Sequence, residues 1–147
     1  MLKKRGNGMS FHIHFSSPAE EGLAPYLVEG LSKHAKEKRG LAGMSDFSLT
    51  VKNNKDEVKG GLDGILFYGY LYVGNLYIDA AYRGQNIGTE LMHKAEAYGR
   101  SKGCRFSTVN TMDFEALDFY KKLGYCVDLE RHGFDGGSVF YFLIKEL

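Results

Sequence analysis

A short glycine-containing turn in the second half of the chain has the residue types of an anion site. Arg83 precedes Gly84, and Gly88 follows four residues later, just before apolar residues at helical spacing. A helix begins with unpaired backbone N–H groups and about half a positive charge, so small residues there let a phosphate approach. Arg83 adds a cation at the rim. Such glycines are also compatible with a tight strand-to-helix bend alone, and their spacing leaves both interpretations open.

Aromatic side chains cluster around the segment before this turn. If some of their rings face a cleft, their faces can hold a cationic acceptor; if not, they only pack on a sheet. The four tyrosines concerned are Tyr68, Tyr70, Tyr72 and Tyr77. The histidines and the two cysteines lack the spacing of metal ligands, so no metal site is predicted.

The elements around these residues alternate as in a mixed α/β protein. Strands are predicted at residues 11–15, 47–51, 58–67, 71–78, 105–110, 125–129 and 138–144. Ser17 and Pro18 predict the start of a first helix that ends at Gly40, and Pro25 predicts a kink or break within it. A second helix follows the glycine turn. The third is predicted to begin with Asp113 as its cap.

Composition is typical of one globular domain. The chain has 147 residues, a net charge of +1 and 44% hydrophobic residues, which suffices for a core without disulfides or metals. A net charge near zero gives no reason to predict a nucleic-acid partner. The sequence has no apolar run or signal segment that would predict a membrane partner. Residues 1–8 are predicted to be a flexible tail before a single domain at 9–147, with Met9 as a possible natural start. The two isolated cysteines fit a reduced, cytoplasmic protein.

Two segments resemble signatures of the GNAT acyltransferase superfamily. The first, Leu76 to Gly88, has a strand followed by Arg or Gln, two free positions, Gly, one free position, and Gly or Ala, here Arg83, Asn86 and Gly88. The second runs from Ala116 to Tyr125, and the element order matches from about residue 11 to residue 147. The resemblance implies a single-domain, mixed and mostly antiparallel sheet of six to seven strands, flanked by helices and splayed between the fourth and fifth strands.

The same resemblance implies acetyl-CoA as co-substrate and an N-acyltransferase activity. Backbone N–H groups of the turn would bind the pyrophosphate, and exposed backbone of the fourth strand would pair with the pantetheine arm. A bulge at Gly74 and Asn75 would serve the splay. The cofactor-binding residues predicted on this basis are Leu76, Ile78, Arg83, Gly84, Gln85, Asn86, Ile87, Gly88, Thr89 and Asn110.

Two positions depart from the family pattern. Asn86 stands where glycine is commonest, but asparagine tolerates the left-handed backbone that the turn needs. Asp113 stands where asparagine is common; its charge would repel a phosphate, so it is interpreted as a helix cap. Asn110 is the better polar candidate near the pantetheine; the alternative is that its side chain only ties down a strand end.

The implied reaction is attack of a neutral amine on the thioester carbonyl. Tyr120 matches the tyrosine that protonates the departing thiolate in this family, and its place on the apolar stripe of a helix also fits a core role. A backbone N–H near Ile78 would stabilise the oxyanion. The general base is left open between Asp79, Glu115, His132 and a chain of waters.

The acceptor predicted is a primary amine of a small molecule. A protein or peptide amine is the alternative within the same chemistry. A non-catalytic acyl-CoA-binding sensor is an alternative of another class, and turnover separates it from an enzyme. A homodimer is a further possibility that the sequence does not decide.

Overall fold

A sheet of six strands runs through the centre of the fold. The computed structural model describes residues 3–4 and 10–147. In chain order the elements are β1 Lys3–Lys4, β2 Ser10–Phe11, α1 Leu23–Arg39, β3 Ser45–Lys52, β4 Val58–Phe67, β5 Tyr70–Ile78, α2 Ile87–Ser101, β6 Phe106–Met112, α3 Leu117–Lys122, β7 Cys126–Arg131 and β8 Phe140–Glu146, with short 3-10 turns at Ala80–Tyr82 and Asp135–Gly137.

The sheet has the strand order β3-β4-β5-β6-β8-β7. β5 and β6 pair in parallel, and the other neighbours in this order are antiparallel. Parallel neighbours require a crossover, and α2 supplies it. The mixed, mostly antiparallel α/β fold predicted from the sequence is confirmed, with six strands in the main sheet.

The hydrophobic core lies between this sheet and α2. Leu71 and Val73 of β5 are 0% and 1% exposed, and Met92 and Ala95 of α2 are both 0% exposed. Their alternation at every second strand residue and every third or fourth helix residue places each set on one face. Burying a Leu, Val or Met side chain stabilises the fold by about 1.5–3 kcal/mol, so this layer fixes α2 against β5.

The hairpin between β4 and β5 sets the register of the strand that borders the site. Tyr68 and Gly69 have φ of 53° and 82°, the left-handed pair that a two-residue hairpin turn requires. Phe67 therefore pairs directly with Tyr70. The turn predicted at Gly69 is confirmed.

The N-terminal segment differs most from the sequence predictions. The strand predicted at 11–15 is wrong beyond Phe11, because residues 12–15 pair with no strand that the structure describes, and Ile13 and Phe15 are 91% and 86% exposed. The first helix begins at Leu23 rather than near Pro18. Pro25 therefore lies in its first turn, where an N–H would have no helical partner, and the expected kink is wrong. The predicted end at Gly40 is confirmed, with φ 65°.

The remaining terminal prediction concerns the tail at residues 1–8. Apart from Lys3–Lys4, which pair with Ser10–Phe11, that segment lies outside the described residues.

The third helix begins three residues later than predicted, with Ala116 rather than Asp113 at its N-cap position. Asp113 does not cap α3; its backbone N–H donates to the Val139 carbonyl at 2.9 Å. The preceding turn is held by other side chains: Glu115 Oε2 accepts the Met112 N–H at 3.1 Å, and Thr111 Oγ1 accepts the Ala116 N–H at 3.2 Å. Thr111 thus satisfies the Ala116 N–H, a donor that a capping Asp113 would otherwise have served.

Candidate active site

A gap opens between β5 and β6 along the second half of both strands. Their parallel pairing runs from Tyr70–Phe106 to Val73–Val109 and ends there. β5 nevertheless continues to Ile78 and β6 to Met112. The predicted fourth and fifth strands correspond to β5 and β6, so the splay predicted between them is present. On the side that faces the gap, backbone groups of both strands have no strand to pair with.

A bulge in β5 lies at the point where the gap starts. Asp63 of β4 pairs with Asn75, whereas the next residue, Gly64, pairs with Val73, so Gly74 is the extra residue. The bulge predicted at Gly74 and Asn75 is confirmed. It lets β5 bend away from β6 while it remains paired with β4.

Backbone groups of Leu76 and Ile78 point into this gap. The Asp79 N–H donates to the Lys59 carbonyl of the β4 side at 2.9 Å. Alternate residues of an antiparallel strand share this direction, so Tyr77 also faces β4 whereas Leu76 and Ile78 face the other way. They are the exposed strand groups that the sequence prediction assigned to the pantetheine arm.

The start of α2 lies at the end of the same gap. Asn86 and Gly84 adopt left-handed backbone, with φ of 65° and 75°, so the asparagine does accommodate the turn as expected. The first intrahelical bond from this end is from the Glu90 N–H to the Asn86 carbonyl, at 3.1 Å. The N–H groups of Ile87, Gly88 and Thr89 precede it and have no helical acceptor.

Arg83 lies at the exposed rim of the gap. Its Nε donates to the Ile78 carbonyl at 2.9 Å, and its guanidinium carbon is 5.6 Å from the centre of the Tyr77 ring. These contacts fix the side chain near the N-terminus of α2. The remaining guanidinium N–H groups add positive charge to that end of the cleft.

The gap and the helix start together form one cleft of about 790 Å³. Of the predicted cofactor-binding residues, nine line it and Gln85 instead borders a neighbouring groove with Asn86 and Thr89. The nine are Leu76, Ile78, Arg83, Gly84, Asn86, Ile87, Gly88, Thr89 and Asn110. The fold therefore brings together two chain segments that the sequence could only place separately.

Asn110 lies on the unpaired end of β6. Its Nδ2 donates to the Tyr72 hydroxyl of β5 at 3.3 Å, so the side chain bridges the two strands where they separate. This contact ties down the strand end, which is the second of the two roles considered for Asn110. The residue also lines the cleft, so its role towards the pantetheine stays a prediction.

Tyr120 of α3 forms part of the cleft wall and is 5% exposed. No hydrogen bond joins its hydroxyl to a described residue, and none of the described side chains has a fully buried polar atom without a partner. The hydroxyl must therefore reach the cleft surface. Burial, together with the negative charge of Glu115, raises the pKa of Tyr120 to about 12. The phenol thus keeps its proton at neutral pH and can donate it.

The three candidate bases lie in different places. Glu115 lines the cleft. Asp79 borders a separate groove on the β3–β4 side, and His132 is exposed and contacts Glu130 at 3.2 Å. Glu115 is thus the one of these three carboxylate or imidazole groups that adjoins the cleft.

Of the clustered tyrosines, Tyr77 faces the cleft and Tyr70 packs on the sheet. Tyr77 lines the cleft and is 60% exposed, whereas Tyr70 packs against Phe67 and Phe106 with ring centres 4.7 and 5.0 Å away. Sheet packing therefore accounts for Tyr70.

Sequence reasoning missed Thr111 and Phe119, which also line the cleft. The Phe119 ring lies against α2, because a Cβ added to Gly88 would be 3.3 Å from its Cζ. The position of Phe119, one residue before Tyr120, was the available signal. Thr111 gave none beyond its place at the end of β6.

The described residues hold neither a metal-binding cluster nor a membrane-spanning helix. Within residues 3–4 and 10–147, no group of three or more His, Cys, Asp or Glu side chains is placed to hold a metal ion. None of the helices in that part of the chain is both long and apolar enough to cross a membrane.

Comparison with known proteins agrees with this geometry. A family model described as the acetyltransferase (GNAT) family matches residues 21–125. An acetyltransferase of Agrobacterium fabrum is 36% identical over 86 residues, which cover 58% of this chain and 63% of that protein. Blasticidin-S acetyltransferase of Streptomyces morookaense is 37% identical over 94 residues, which cover 63% of this chain and 69% of that enzyme. The chain thus matches less than two thirds of the length of the Agrobacterium relative.

Solved structures extend the likeness to almost the whole chain. The crystal structure of an acetyltransferase from Bacillus cereus has a TM-score of 0.74 and 26% identity, and the match covers 93% of this chain and 98% of that one. The family model covers both the strand–turn–helix segment of the cleft and the tyrosine helix α3. The chain belongs to the GNAT acetyltransferase family.

Proposed function

We propose that this chain transfers the acetyl group of acetyl-CoA to a primary amine of a small molecule. The family uses acetyl-CoA as co-substrate, and the cleft between β5, β6 and the start of α2 offers matching chemistry. The observation that carries the proposal is the junction of two features: free N–H groups at a helix start, and unpaired strand backbone leading away from it.

In this proposal each end of the cleft recognises a different part of the co-substrate. The N–H groups of Ile87, Gly88 and Thr89, with the charge of Arg83, bind the pyrophosphate. The backbone of Leu76 and Ile78 pairs with the amide groups of the pantetheine arm, as a missing strand would. In this proposal the thioester lies in the gap, on the Tyr120 side.

The transfer forms one bond and breaks another. The amine nitrogen attacks the acetyl carbonyl carbon, a C–N bond forms, and the C–S bond breaks to release a thiolate. A backbone N–H of the gap-facing strand stabilises the negative charge that develops on the carbonyl oxygen. Tyr120, whose phenol is neutral near pH 7, donates its proton to the thiolate. The proton that the nitrogen loses as it becomes an amide returns Tyr120 to its neutral form through solvent.

The deprotonation of the amine needs an acceptor for the proton. A free alkylamine has a pKa near ~10, so most of it is protonated at neutral pH. Glu115 adjoins the cleft and is held by the Met112 N–H at 3.1 Å. It can accept this proton directly or through water.

A small-molecule acceptor is supported by the relative named for blasticidin S, since that name states a small molecule as its substrate. The open face of the gap beside Tyr77 is where such an amine would enter. A protein or peptide amine is the competing acceptor within the same mechanism.

Release of free thiol from acetyl-CoA tests the proposal. Purified protein is assayed with primary amines of three kinds: small amines and amino sugars, free amino acids, and short peptides with a lysine or a free N-terminus. Thiol release with a small amine, and an acetylated product by mass spectrometry, is the expected result. Release only with peptides would overturn the choice of acceptor. Binding of CoA without release in any reaction would instead identify a sensor.

A further inference from the structure

The bulge in β5 is held by a carboxylate from the neighbouring strand. Asp63 Oδ1 accepts the backbone N–H of Asn75 at 2.9 Å and its side-chain Nδ2 at 3.0 Å, and Oδ2 accepts the same Nδ2 at 3.0 Å. Three hydrogen bonds therefore connect one side chain to the residue directly after the bulge. Hydrogen bonds to an ionised acceptor are stronger than neutral ones.

Gly74 is the residue that makes this contact sterically possible. A Cβ at position 74 would lie 2.9 Å from Asp63 Oδ1, closer than such atoms approach. The glycine, the carboxylate and the asparagine thus form one local unit, which we term the bulge clamp: Asp63, Gly74 and Asn75.

The bulge clamp changes which residues of β5 face the core. Before the bulge, the odd-numbered Leu71 and Val73 are buried against α2; after it, the even-numbered Leu76 and Ile78 pack against the same core. Side chains alternate along a strand, so this change of parity requires one extra residue. Loss of the bulge would turn the side chains of Leu76 and Ile78 to the other face and their gap-facing backbone groups towards β4.

The parity change coincides with the opening of the cleft. The last β5–β6 pair is Val73–Val109, and the extra residue, Gly74, follows at once. A side chain that fixes the bulge therefore also fixes where the strands separate and which backbone groups line the gap.

We propose that Asp63 is a positioning residue: its carboxylate, through Asn75, holds the β5 backbone in the form that binds the pantetheine arm. Asp63 acts on the cofactor only through this backbone. The inference rests on the proposed cofactor cleft and assigns to it a side chain that does not line it.

Exchange of the two clamp residues tests the proposal. Asp63→Asn replaces one acceptor oxygen by an amide that faces the Asn75 amide, and Asn75→Asp places two carboxylates opposite each other. The double variant D63N/N75D restores a complementary pair, since the new amide at 63 donates to the new carboxylate at 75 and its oxygen still accepts the backbone N–H. Asp46→Asn is the matched control, because Asp46 pairs with Ile65 on the same face of the sheet.

Affinity for CoA, measured by calorimetry, is the first readout. Loss of charge-assisted bonds predicts a roughly tenfold or larger rise in Kd for D63N and for N75D. The double variant should return to within about threefold of the wild-type Kd, as complementary pairs do in a double-mutant cycle. D46N should bind as the wild type does. Heat stability is recorded for all variants, so that binding is compared among folded proteins.

Several results would overturn the proposal. Wild-type Kd in both folded single variants would show that the clamp does not position the cleft. A double variant whose Kd stays as high as that of N75D, while D63N alone binds as the wild type does, would show that a charge at position 75, which lines the cleft, sets the affinity and that the pairing with Asp63 does not. Absence of CoA binding by the wild-type protein would reject the cofactor cleft itself, and the inference with it.

Discussion

Replacement of Gly88 by glutamate tests whether an anion binds at the start of α2. Gly88 is the second residue of the helix, and it lines the cleft. A side chain there meets Phe119, with Cβ 3.3 Å from Cζ, so any substitution has some steric cost. Gly88→Gln has the same shape as Gly88→Glu and no charge. The difference between the two variants therefore isolates the electrostatic effect.

The expected size of that difference follows from Coulomb's law. At a separation of about 6 Å and an effective dielectric constant of about 40, two unit charges interact by about 1.4 kcal/mol. A pyrophosphate carries about two negative charges, so G88E should bind CoA more weakly than G88Q by about 3 kcal/mol, or roughly 100-fold. Weaker CoA binding by G88E cannot arise from poorer folding of that variant, because an acidic residue in the first turn stabilises a helix by about 0.3–1 kcal/mol.

Calorimetric titration with CoA at two ionic strengths measures this effect. The gap in Kd between G88E and G88Q should narrow as the ionic strength rises, because salt screens partly exposed charges. G88E should also be at least as heat-stable as G88Q. Equal CoA affinities of the two variants at low salt would refute the anion site at this helix start.

The remaining predictions concern Tyr120 and an ion pair between Glu96 of α2, whose side chain is buried, and Lys145 of β8. Tyr120→Phe should lower kcat about 100-fold, the usual scale for a general acid, while the Kd for CoA stays within about twofold; unchanged kcat in steady-state assays would remove the residue from the mechanism. The tyrosine ionises near ~10 in the unfolded chain, and its folded pKa is about 12. The contribution of Tyr120 to the free energy of unfolding is therefore fully present below pH ~10 and is lost as the pH rises towards 12. Y120F should lose less heat stability over that range, and parallel losses in both proteins would contradict the raised pKa. Glu96→Ala should lower the free energy of unfolding by about 2–4 kcal/mol, slightly below the loss for fully buried pairs, because its 2.8 Å partner Lys145 is 19% exposed; denaturant unfolding that shows under about 1 kcal/mol would refute this.

The parts of the fold that could be predicted from sequence are those with local causes. The left-handed turn at Asn86 and the hairpin at Gly69 each depend on a backbone conformation that few residues adopt. The bulge at Gly74 depends on a position where a Cβ would be too close to Asp63. The order of strands and helices followed from hydrophobic periodicity and turn residues, and it then matched the order of the family.

The errors arose where distant partners decide the structure. Residues 12–15 alternate like a strand, but alternation forms no strand without a neighbour to pair with. Asp113 is a good cap by type, yet Thr111 and Glu115 satisfy the donors at that turn instead. Asp63 gave no signal at all, because its contact with Asn75 depends on the β4–β5 register.

An NMR titration that follows the backbone N–H groups of residues 87–89 tests the proposed cofactor site most directly. Titration of ¹⁵N-labelled protein with CoA should shift the amide signals of Ile87, Gly88 and Thr89 most strongly, together with those of Leu76 and Ile78 in the gap. Signals of the buried pair at Glu96 and Lys145 should change little. Shifts that instead concentrate on the β3–β4 groove around Asp79, or saturating CoA with no change at residues 87–89, would contradict the site on which the proposed function depends.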